Sequence, residues 1–270
     1  MPGFPASSSR PFYRPEGRES MLESEQVQEH SGVVEGQLVM PFYIVCDVSY
    51  SMSNDMPQLN SLLEGLRNAI LAEPAVDDVA RISIIAFSDT AEVEAPLEQV
   101  SDGALPHLTA RSGTNYGAAF RRLAQAIESD RASLKAKGYK VYRPCAFFLT
   151  DGEPLDGDWA QTFQATLTYN KTTEQGMKSH PIFVPFGFRD ADDAVLSRLA
   201  FPPERSKWFL AKATSASEAL DGILHIIQNS VISSSRRASG GERGAIEVAE
   251  PAAGSGIVSG KSAYDPDFLD

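Results

Sequence analysis

The sequence is poor in cysteine and histidine: its 270 residues include two cysteines and four histidines. Cys46 and Cys145 each lie within an apolar run, so we predict two buried, reduced core residues rather than a disulfide. No histidine has the spacing to another histidine or to a cysteine that a metal-binding motif requires. Zinc and copper sites, which depend on such ligands, are therefore not predicted.

The sequence also lacks long apolar runs and clusters of basic residues. No run approaches the roughly 20 apolar residues of a membrane-spanning helix. The N-terminal region has no apolar segment typical of a secretory signal. The formal net charge is −12 without a basic stripe, which argues against nucleic-acid binding. We therefore expect a cytoplasmic protein with neither a membrane nor a nucleic acid as partner.

Composition predicts one folded region between two tails. Hydrophobic residues make up 42% of the chain, enough for one sizeable core. Residues 1–37 mix proline, serine, glycine, arginine and glutamate, which predicts a disordered N-terminal tail. Residues 233–270 are rich in serine, glycine and alanine, which predicts a disordered C-terminal tail. The predicted domain is therefore 38–232.

Within that domain, apolar runs alternate with helical patterns. The first run, LVMPFYIVCD, is typical of a strand buried on both faces. Five more strands are predicted, at VARISIIAF, TAEVEAPL, RPCAFFLTD, HPIFVPFGF and KWFLAKA. The alternation predicts an α/β fold: a doubly wound, mainly parallel six-stranded sheet with helices on both faces. The third strand follows the second through a tight turn, so we predict that it is an antiparallel edge strand.

Oxygen-bearing side chains gather where these elements meet. They are Asp47, Ser49 and Ser51 after the first strand, Thr114 before the second long helix, and Asp151 after the fourth strand. Ligands of such sheets bind at the carboxyl ends of the strands, near the point where the strand order reverses. Two carboxylates and three hydroxyls suit a hard cation, so the sequence predicts a site for Mg²⁺ or Mn²⁺.

Each of these residues alone has a simpler structural reading. Ser49 and Ser51 are ordinary turn residues, and Asp47, Thr114 and Asp151 are ordinary helix caps. The coincidence of three such segments, each next to the expected element, favours the metal site.

The three segments DVSYSMS, SGTNYG and FLTDGEP resemble the parts of the metal-ion-dependent adhesion site of von Willebrand factor type A domains. That pattern is Asp-x-Ser-x-Ser, a distant threonine and a distant aspartate followed by glycine. The resemblance covers about residues 38–232 and implies the same fold. It implies that Ser49, Ser51 and Thr114 bind the metal directly, and that Asp47 and Asp151 bind it mostly through water. The residues that shape the surrounding loops would be Asn54, Asp55, Gly113 and Gly152.

The resemblance also implies a function without catalysis. Family members usually bind protein partners, here through an Asp or Glu of the partner that completes the coordination of the metal. The segments MPFYIVCDVSYSMS and GTNYG look most like those of cytoplasmic bacterial proteins of tellurium-resistance (TerY-type) operons. Such proteins act in stress responses with partners that include kinase- and phosphatase-like proteins.

Two alternatives remain open at this stage. A metal-dependent phosphohydrolase could use Asp47 as a nucleophile, but a second carboxylate is expected two residues later, where Ser49 stands. No lysine lies near Asp151, and no glycine-rich phosphate loop follows a strand. A scaffold with a vestigial site is the other alternative. The acidic end YDPDFLD is either a disordered end or a docking motif whose Asp265, Asp267 or Asp270 reaches a metal site.

Overall fold

The computed structural model describes residues 36–212, 215–241 and 246–265, which lie within one compact unit, Val33–Asp270. In these residues the strands are β1 (Leu38–Asp47), β2 (Ala80–Phe87), β3 (Ala91–Glu98), β4 (Lys140–Val141), β5 (Cys145–Thr150), β6 (Tyr169–Asn170), β7 (Gln175–Gly176), β8 (Ile182–Phe188), β9 (Lys207–Ala211) and β10 (Ile257–Lys261). The helices are α1 (Met56–Leu71), α2 (Pro74–Asp77), α3 (Tyr116–Ala136), α4 (Trp159–Leu167), α5 (Asp193–Leu199) and α6 (Ala216–Ser239). A 3₁₀ turn (Tyr50–Asn54) joins β1 to α1.

The main sheet has the strand order β10-β9-β8-β5-β1-β2-β3, and β4 pairs with the start of β1. The strands from β2 across to β9 are parallel, while β3 and β10 form antiparallel edges. The predicted mainly parallel sheet and its antiparallel third strand are confirmed. The predicted strand number is wrong, because this sheet has eight strands rather than six. The two additional strands are β4, which has only two residues, and β10.

Two helical layers cover the sheet. In β1, Phe42, Ile44 and Cys46 pack into the core on the α1 and α6 side, whereas Tyr43 and Val45 pack on the α3 and α4 side. Because successive side chains of a strand point to opposite faces, burial on both faces requires an uninterrupted apolar run. The doubly wound fold is therefore confirmed. In α1 the apolar residues at helical spacing are all buried; they are Leu59, Leu62, Leu63, Leu66 and Ile70.

The C-terminal region differs from the predicted disordered tail. Helix α6 continues to Ser239 instead of ending near residue 232. The hydroxyls of Ser230 and Ser234, on the buried side of α6, accept hydrogen bonds from the backbone N–H groups of Ala249 and Glu247 at 2.9 and 3.1 Å. Serines that would ordinarily mark a solvated segment thus fasten a neighbouring strand-like segment to the helix. This boundary is corrected for the described residues.

Strand β10 completes the correction. It pairs along the whole of β9, from Ile257 opposite Ala211 to Lys261 opposite Lys207. Backbone hydrogen bonds to an existing edge do not depend on an apolar pattern, which is why a sequence rich in serine and glycine concealed this strand. Ile246 and Val248, which precede it, are buried in the core on the α6 side.

Several predictions concern residues near the two ends of the described ranges. Residues 1–35 and 266–270 lie outside the described residues, so the N-terminal tail and most of the YDPDFLD segment remain predictions. Tyr264 is described: its ring packs against Phe163 and Phe201, and its hydroxyl lies 3.0 Å from that of Thr168. Both cysteines are buried and unpaired, as predicted. Within the described residues, the helices are all too short or too polar to cross a membrane.

We expect a chain of residues 1–232 to be less stable than one of residues 1–265. The shorter chain loses the buried side chains of Ile246, Val248 and Ile257 and exposes the edge of β9. Each of the three side chains contributes roughly 1.5–3 kcal/mol, so a loss of about 4.5 kcal/mol or more in the free energy of unfolding is expected in urea titrations. Equal unfolding curves for the two chains would contradict the structural role of this region.

Candidate metal centre

The predicted site lies at the reversal point of the strand order. Strand β1 has β2 on one side and β5 on the other, and the connections leave in opposite directions from there. The carboxyl ends of β1 and β5 are therefore adjacent, and Tyr50 and Ser51, just beyond the end of β1, are exposed. This is the position where open α/β sheets bind ligands.

The end of β1 provides a tightly held carboxylate. Asp47 is fully buried, and its Oδ1 accepts a hydrogen bond from the backbone N–H of Ser49 at 2.8 Å. The 3₁₀ turn then carries the chain over the end of the strand. It brings the Oγ atoms of Ser49 and Ser51 to 2.9 Å from each other.

The end of β5 closes the site from the other side. Thr150 Oγ donates to Asp47 Oδ2 at 2.8 Å, and Ser51 Oγ donates to Asp151 Oδ1 at 2.9 Å. A continuous chain of hydrogen bonds thus joins Asp47, Ser49, Ser51 and Asp151, four of the five predicted residues. They come from segments about 100 positions apart in the sequence.

Thr114, the fifth residue, belongs to a loop that is fastened to both neighbouring segments. Its carbonyl accepts from the N–H of Leu155 at 3.0 Å, and the N–H of Asn115 donates to the Ser88 carbonyl at 2.8 Å. The N–H of Arg111 donates to the Val48 carbonyl at 2.6 Å. In the described residues, the Thr114 hydroxyl forms no hydrogen bond with the other four. The structure thus links four predicted residues by hydrogen bonds and holds the loop of the fifth by its backbone.

Tyr116 supports the site through hydrogen bonds of its hydroxyl, a role that was not predicted from the sequence. It is the first residue of α3 and is fully buried. Its hydroxyl also lies 2.9 Å from Thr150 Oγ and 2.8 Å from the Gly152 carbonyl. Thr150 can therefore direct its proton to Asp47. A tyrosine in an apolar stripe carries no sequence signal for this second role.

Arg189 is the second residue that the sequence reasoning missed. It follows β8 directly, and its Nη1 lies 3.7 Å from Asp151 Oδ2. Its Nη2 donates to Asp55 Oδ1 at 2.8 Å. No lysine is expected near Asp151 from the sequence, and the basic side chain found beside it is that of an arginine. Inspection of the residue after every strand, β8 included, would have found it.

The carboxylates of the site are held in surroundings that disfavour their charge. Burial, with a smaller contribution from the charge of Asp151, raises the pKa of Asp47 to about 6 against the opposing effect of the hydrogen bonds from Ser49 and Thr150. Burial also raises the pKa values of Asp151 and Asp55 above the ordinary range, and Arg189 opposes both shifts. Buried carboxylates with raised pKa values gain stability from a nearby cation.

The donor set fits a small divalent cation. Ligands on adjacent corners of an octahedral Mg²⁺ site, each about 2.0–2.1 Å from the ion, are roughly 2.9 Å apart. The Oγ atoms of Ser49 and Ser51 have this spacing. In the described part of the chain, no group of three or more His, Cys, Asp or Glu side chains is arranged to hold a metal. A metal at this position would therefore depend on the hydroxyls as well as the carboxylates.

The glycines of the two loops differ in what they permit. Gly113 has a φ of +78°, and a Cβ there would overlap the Asp89 carboxylate. That carboxylate accepts a hydrogen bond from the Ser112 hydroxyl at 2.9 Å. A Cβ at Gly152 would meet no atom within 4 Å. Of the two glycines expected to shape the loops, only Gly113 has a steric requirement.

We expect Gly113→Ala to lower the free energy of unfolding by about 1–2 kcal/mol, because the backbone at this position is left-handed. Gly152→Ala, the matched control, should change it by less than about 0.5 kcal/mol. Urea unfolding of the full chain measures both. Equal effects of the two substitutions would show that the Thr114 loop does not depend on its glycine.

Residues 42–153 match the family model of the von Willebrand factor type A domain. No curated protein sequence matches the chain. A von Willebrand factor type A protein from Catenulispora acidiphila is 14% identical with a TM-score of 0.51, over 73% of this chain and 43% of that one. The pilus adhesin SpaC from Lactobacillus rhamnosus GG, in its open conformation, is 12% identical with a TM-score of 0.50, over 73% and 31%.

A third structure is proximal thread matrix protein 1 from the mussel byssus, whose adhesion-site motif is occupied by zinc. It is 12% identical over 73% of this chain and 49% of that one, and its TM-score of 0.46 is too low for its metal to bear on this chain. The chain spans less than half of the length of each of the three structures. Its described fold is similar to that of the von Willebrand factor type A protein, and residues 42–153 are the part that matches the family model.

Proposed function

We propose that this protein is a metal-dependent protein-interaction module that binds a carboxylate of a partner through Mg²⁺ or Mn²⁺. The observation that carries the proposal is the hydrogen-bonded chain from Asp47 through Ser49 and Ser51 to Asp151 at the edge between β1 and β5. The Ser49 and Ser51 hydroxyls, with Thr114, would hold the metal. Asp47 and Asp151 would orient these hydroxyls and supply negative charge.

A bound cation would supply a positive charge with a coordination position open to solvent. The open side is the outer edge of the sheet, where Ser51 is exposed and Tyr50 is 79% exposed. Hydroxyl ligands are neutral, so they do not neutralise the positive charge of the cation. An Asp or Glu of a partner protein would therefore gain a strong interaction at this position.

A phosphohydrolase is not favoured by the same geometry. Asp47 is fully buried and accepts two hydrogen bonds, so it is positioned as a supporting group rather than as a nucleophile. Ser49 occupies the place of the expected acid. We therefore propose a function without catalysis. Hydrolysis of a generic phosphate ester by the Mn²⁺-loaded protein, lost with Asp47→Ala, would establish the alternative.

We also propose a cytoplasmic role in bacterial stress response of the tellurium-resistance type, with kinase- or phosphatase-like partners. The support is the similarity of the segments from Met40 to Ser53 and from Gly113 to Gly117. Resistance to tellurite in a host that carries the operon tests it. The wild-type chain should restore resistance, and a Ser49→Ala chain should fail to do so at equal protein level. Equal resistance with both chains would remove the metal site from this role.

We expect saturable binding of Mg²⁺ and Mn²⁺ to the full chain in calorimetric titrations. Ser49→Ala should weaken binding by about tenfold or more, because a direct ligand is lost. Ser53→Ala is the matched control: this serine is in the same turn but is exposed, and it donates to the Tyr50 carbonyl. An unchanged affinity in Ser49→Ala, or a similar loss in Ser53→Ala, would contradict the proposed ligand set.

Metal affinity should fall as the pH is lowered through about 6. Because burial raises the pKa of Asp47 to about 6, its protonated form accumulates below that pH, and metal binding must release the proton. The expected loss is up to about tenfold per pH unit for one proton, with a plateau above pH 7. Calorimetry at pH 5, 6, 7 and 8 measures it. An affinity that is constant between pH 5 and pH 7 would contradict the assignment.

A further inference from the structure

A guanidinium group is already seated beside the candidate metal site. Besides its contacts with Asp55 and Asp151, Arg189 Nη1 donates to the backbone carbonyl of Ser51 at 3.1 Å. One cationic side chain thus contacts a carbonyl oxygen and two carboxylates, the kind of oxygen set that surrounds a bound cation. Ser51 and Asp151 take part in both sets of contacts: Ser51 Oγ hydrogen-bonds to Asp151 Oδ1, whereas the Ser51 carbonyl and Asp151 Oδ2 face Arg189.

The backbone directs this arginine into the site. Arg189 has a φ of +54°, which is uncommon for a residue with a side chain. The next residue, Asp190, donates its N–H to the Asp151 carbonyl at 3.0 Å. The end of β8 is thereby tied to the end of β5. A residue that holds a left-handed conformation next to a ligand-binding edge is held there by its surroundings.

Asp55 needs a cation at this position. The residue is 4% exposed, and its Oδ2 has no hydrogen-bond donor among the described residues. Arg189 Nη2 lies 2.7 Å from this oxygen, so the attraction of charge is what holds it. Of the basic side chains in the described ranges, only Arg189 lies within 4.0 Å of the carboxylates of Asp47, Asp55 or Asp151.

We propose that Arg189 is a resident cation that occupies a second cation seat next to the metal site and lowers its affinity for a divalent ion. The inference rests on the proposed function and deepens it. Arg189 neutralises Asp55 and part of Asp151 in the metal-free protein, and so keeps the turn of Ser51 in place. A divalent ion at Ser49 and Ser51 is repelled by this charge.

The resident cation also affects the partner. Three ionised carboxylates, one guanidinium and one divalent cation together carry no net charge. Without Arg189 the same metal-loaded site has a net negative charge and repels an incoming carboxylate. Arg189 thus lowers the affinity of the site for a divalent ion and also reduces the repulsion between the metal-loaded site and a partner carboxylate.

The test compares Arg189→Gln, which removes the charge, with Arg189→Lys, which keeps it without the planar fork. In calorimetric titration of the full chain with Mn²⁺, we expect Arg189→Gln to bind about tenfold more tightly than wild type. Arg189→Lys should stay within about threefold of wild type. Without metal, Arg189→Gln should unfold at a lower temperature than Arg189→Lys, and Mn²⁺ should raise its unfolding temperature by more than it raises that of wild type.

Arg111→Gln is the matched control. Arg111 has a similar exposure and bridges two carboxylates, those of Glu92 and Glu94, away from Asp55 and Asp151. Its substitution should leave Mn²⁺ affinity within about twofold. An equal gain in Arg111→Gln would show that net charge, rather than the seat at Asp55, is responsible.

The outcomes separate the two proposals. Weaker Mn²⁺ binding by both Arg189 variants, or unchanged binding by Arg189→Gln, overturns the resident cation and leaves the metal-dependent function standing. Binding by Arg189→Gln but not by wild type supports the resident cation and contradicts the metal-dependent function proposed for the wild-type chain. Absence of Mn²⁺ binding in wild type and in every variant overturns the proposed function and this inference with it.

Discussion

A buried carboxylate at the end of the central strand is the constraint on which the site depends. A charge without solvent contact is costly unless donors or cations compensate it. Asp47 is fully buried and receives hydrogen bonds from one backbone N–H and one hydroxyl. These neutral donors leave its pKa raised to about 6. The residual demand for positive charge distinguishes this strand end from an ordinary turn.

The apolar framework makes that demand rigid. Strand β1 is packed on both faces, so Asp47 cannot move toward water without disturbing two core layers. Tyr116 belongs to one of these layers and hydrogen-bonds to Thr150, which in turn donates to Asp47. Tyr116 therefore contributes both to the packing of the core and to the hydrogen bonds that hold Asp47. A mutation that disturbs the packing of α3 is therefore expected to alter the hydrogen bonds of Asp47, although it changes none of the proposed metal ligands.

The two sides of the sheet differ from the end at which the candidate site lies. Antiparallel strands β3 and β10 close the two sides of the parallel sheet, so neither side presents a long parallel strand for pairing. The carboxyl ends of β1, β5 and β8 remain open at the edge between the helical layers. Arg189 and Asp151, which end neighbouring strands, meet there because parallel strands end side by side.

Much of this protein follows from its sequence alone. The burial of β1 on both faces is visible in its uninterrupted apolar run. The burial of one face of α1 is visible in the helical spacing of its apolar residues. Asp47, Ser49 and Ser51 form one short turn, so their proximity is local as well. The tertiary structure alone decided the rest. Arg189 reaches Asp55 across 134 positions, and β10 pairs with β9 by backbone bonds that have no side-chain pattern. Such contacts depend on which strands become neighbours, and no local periodicity encodes that.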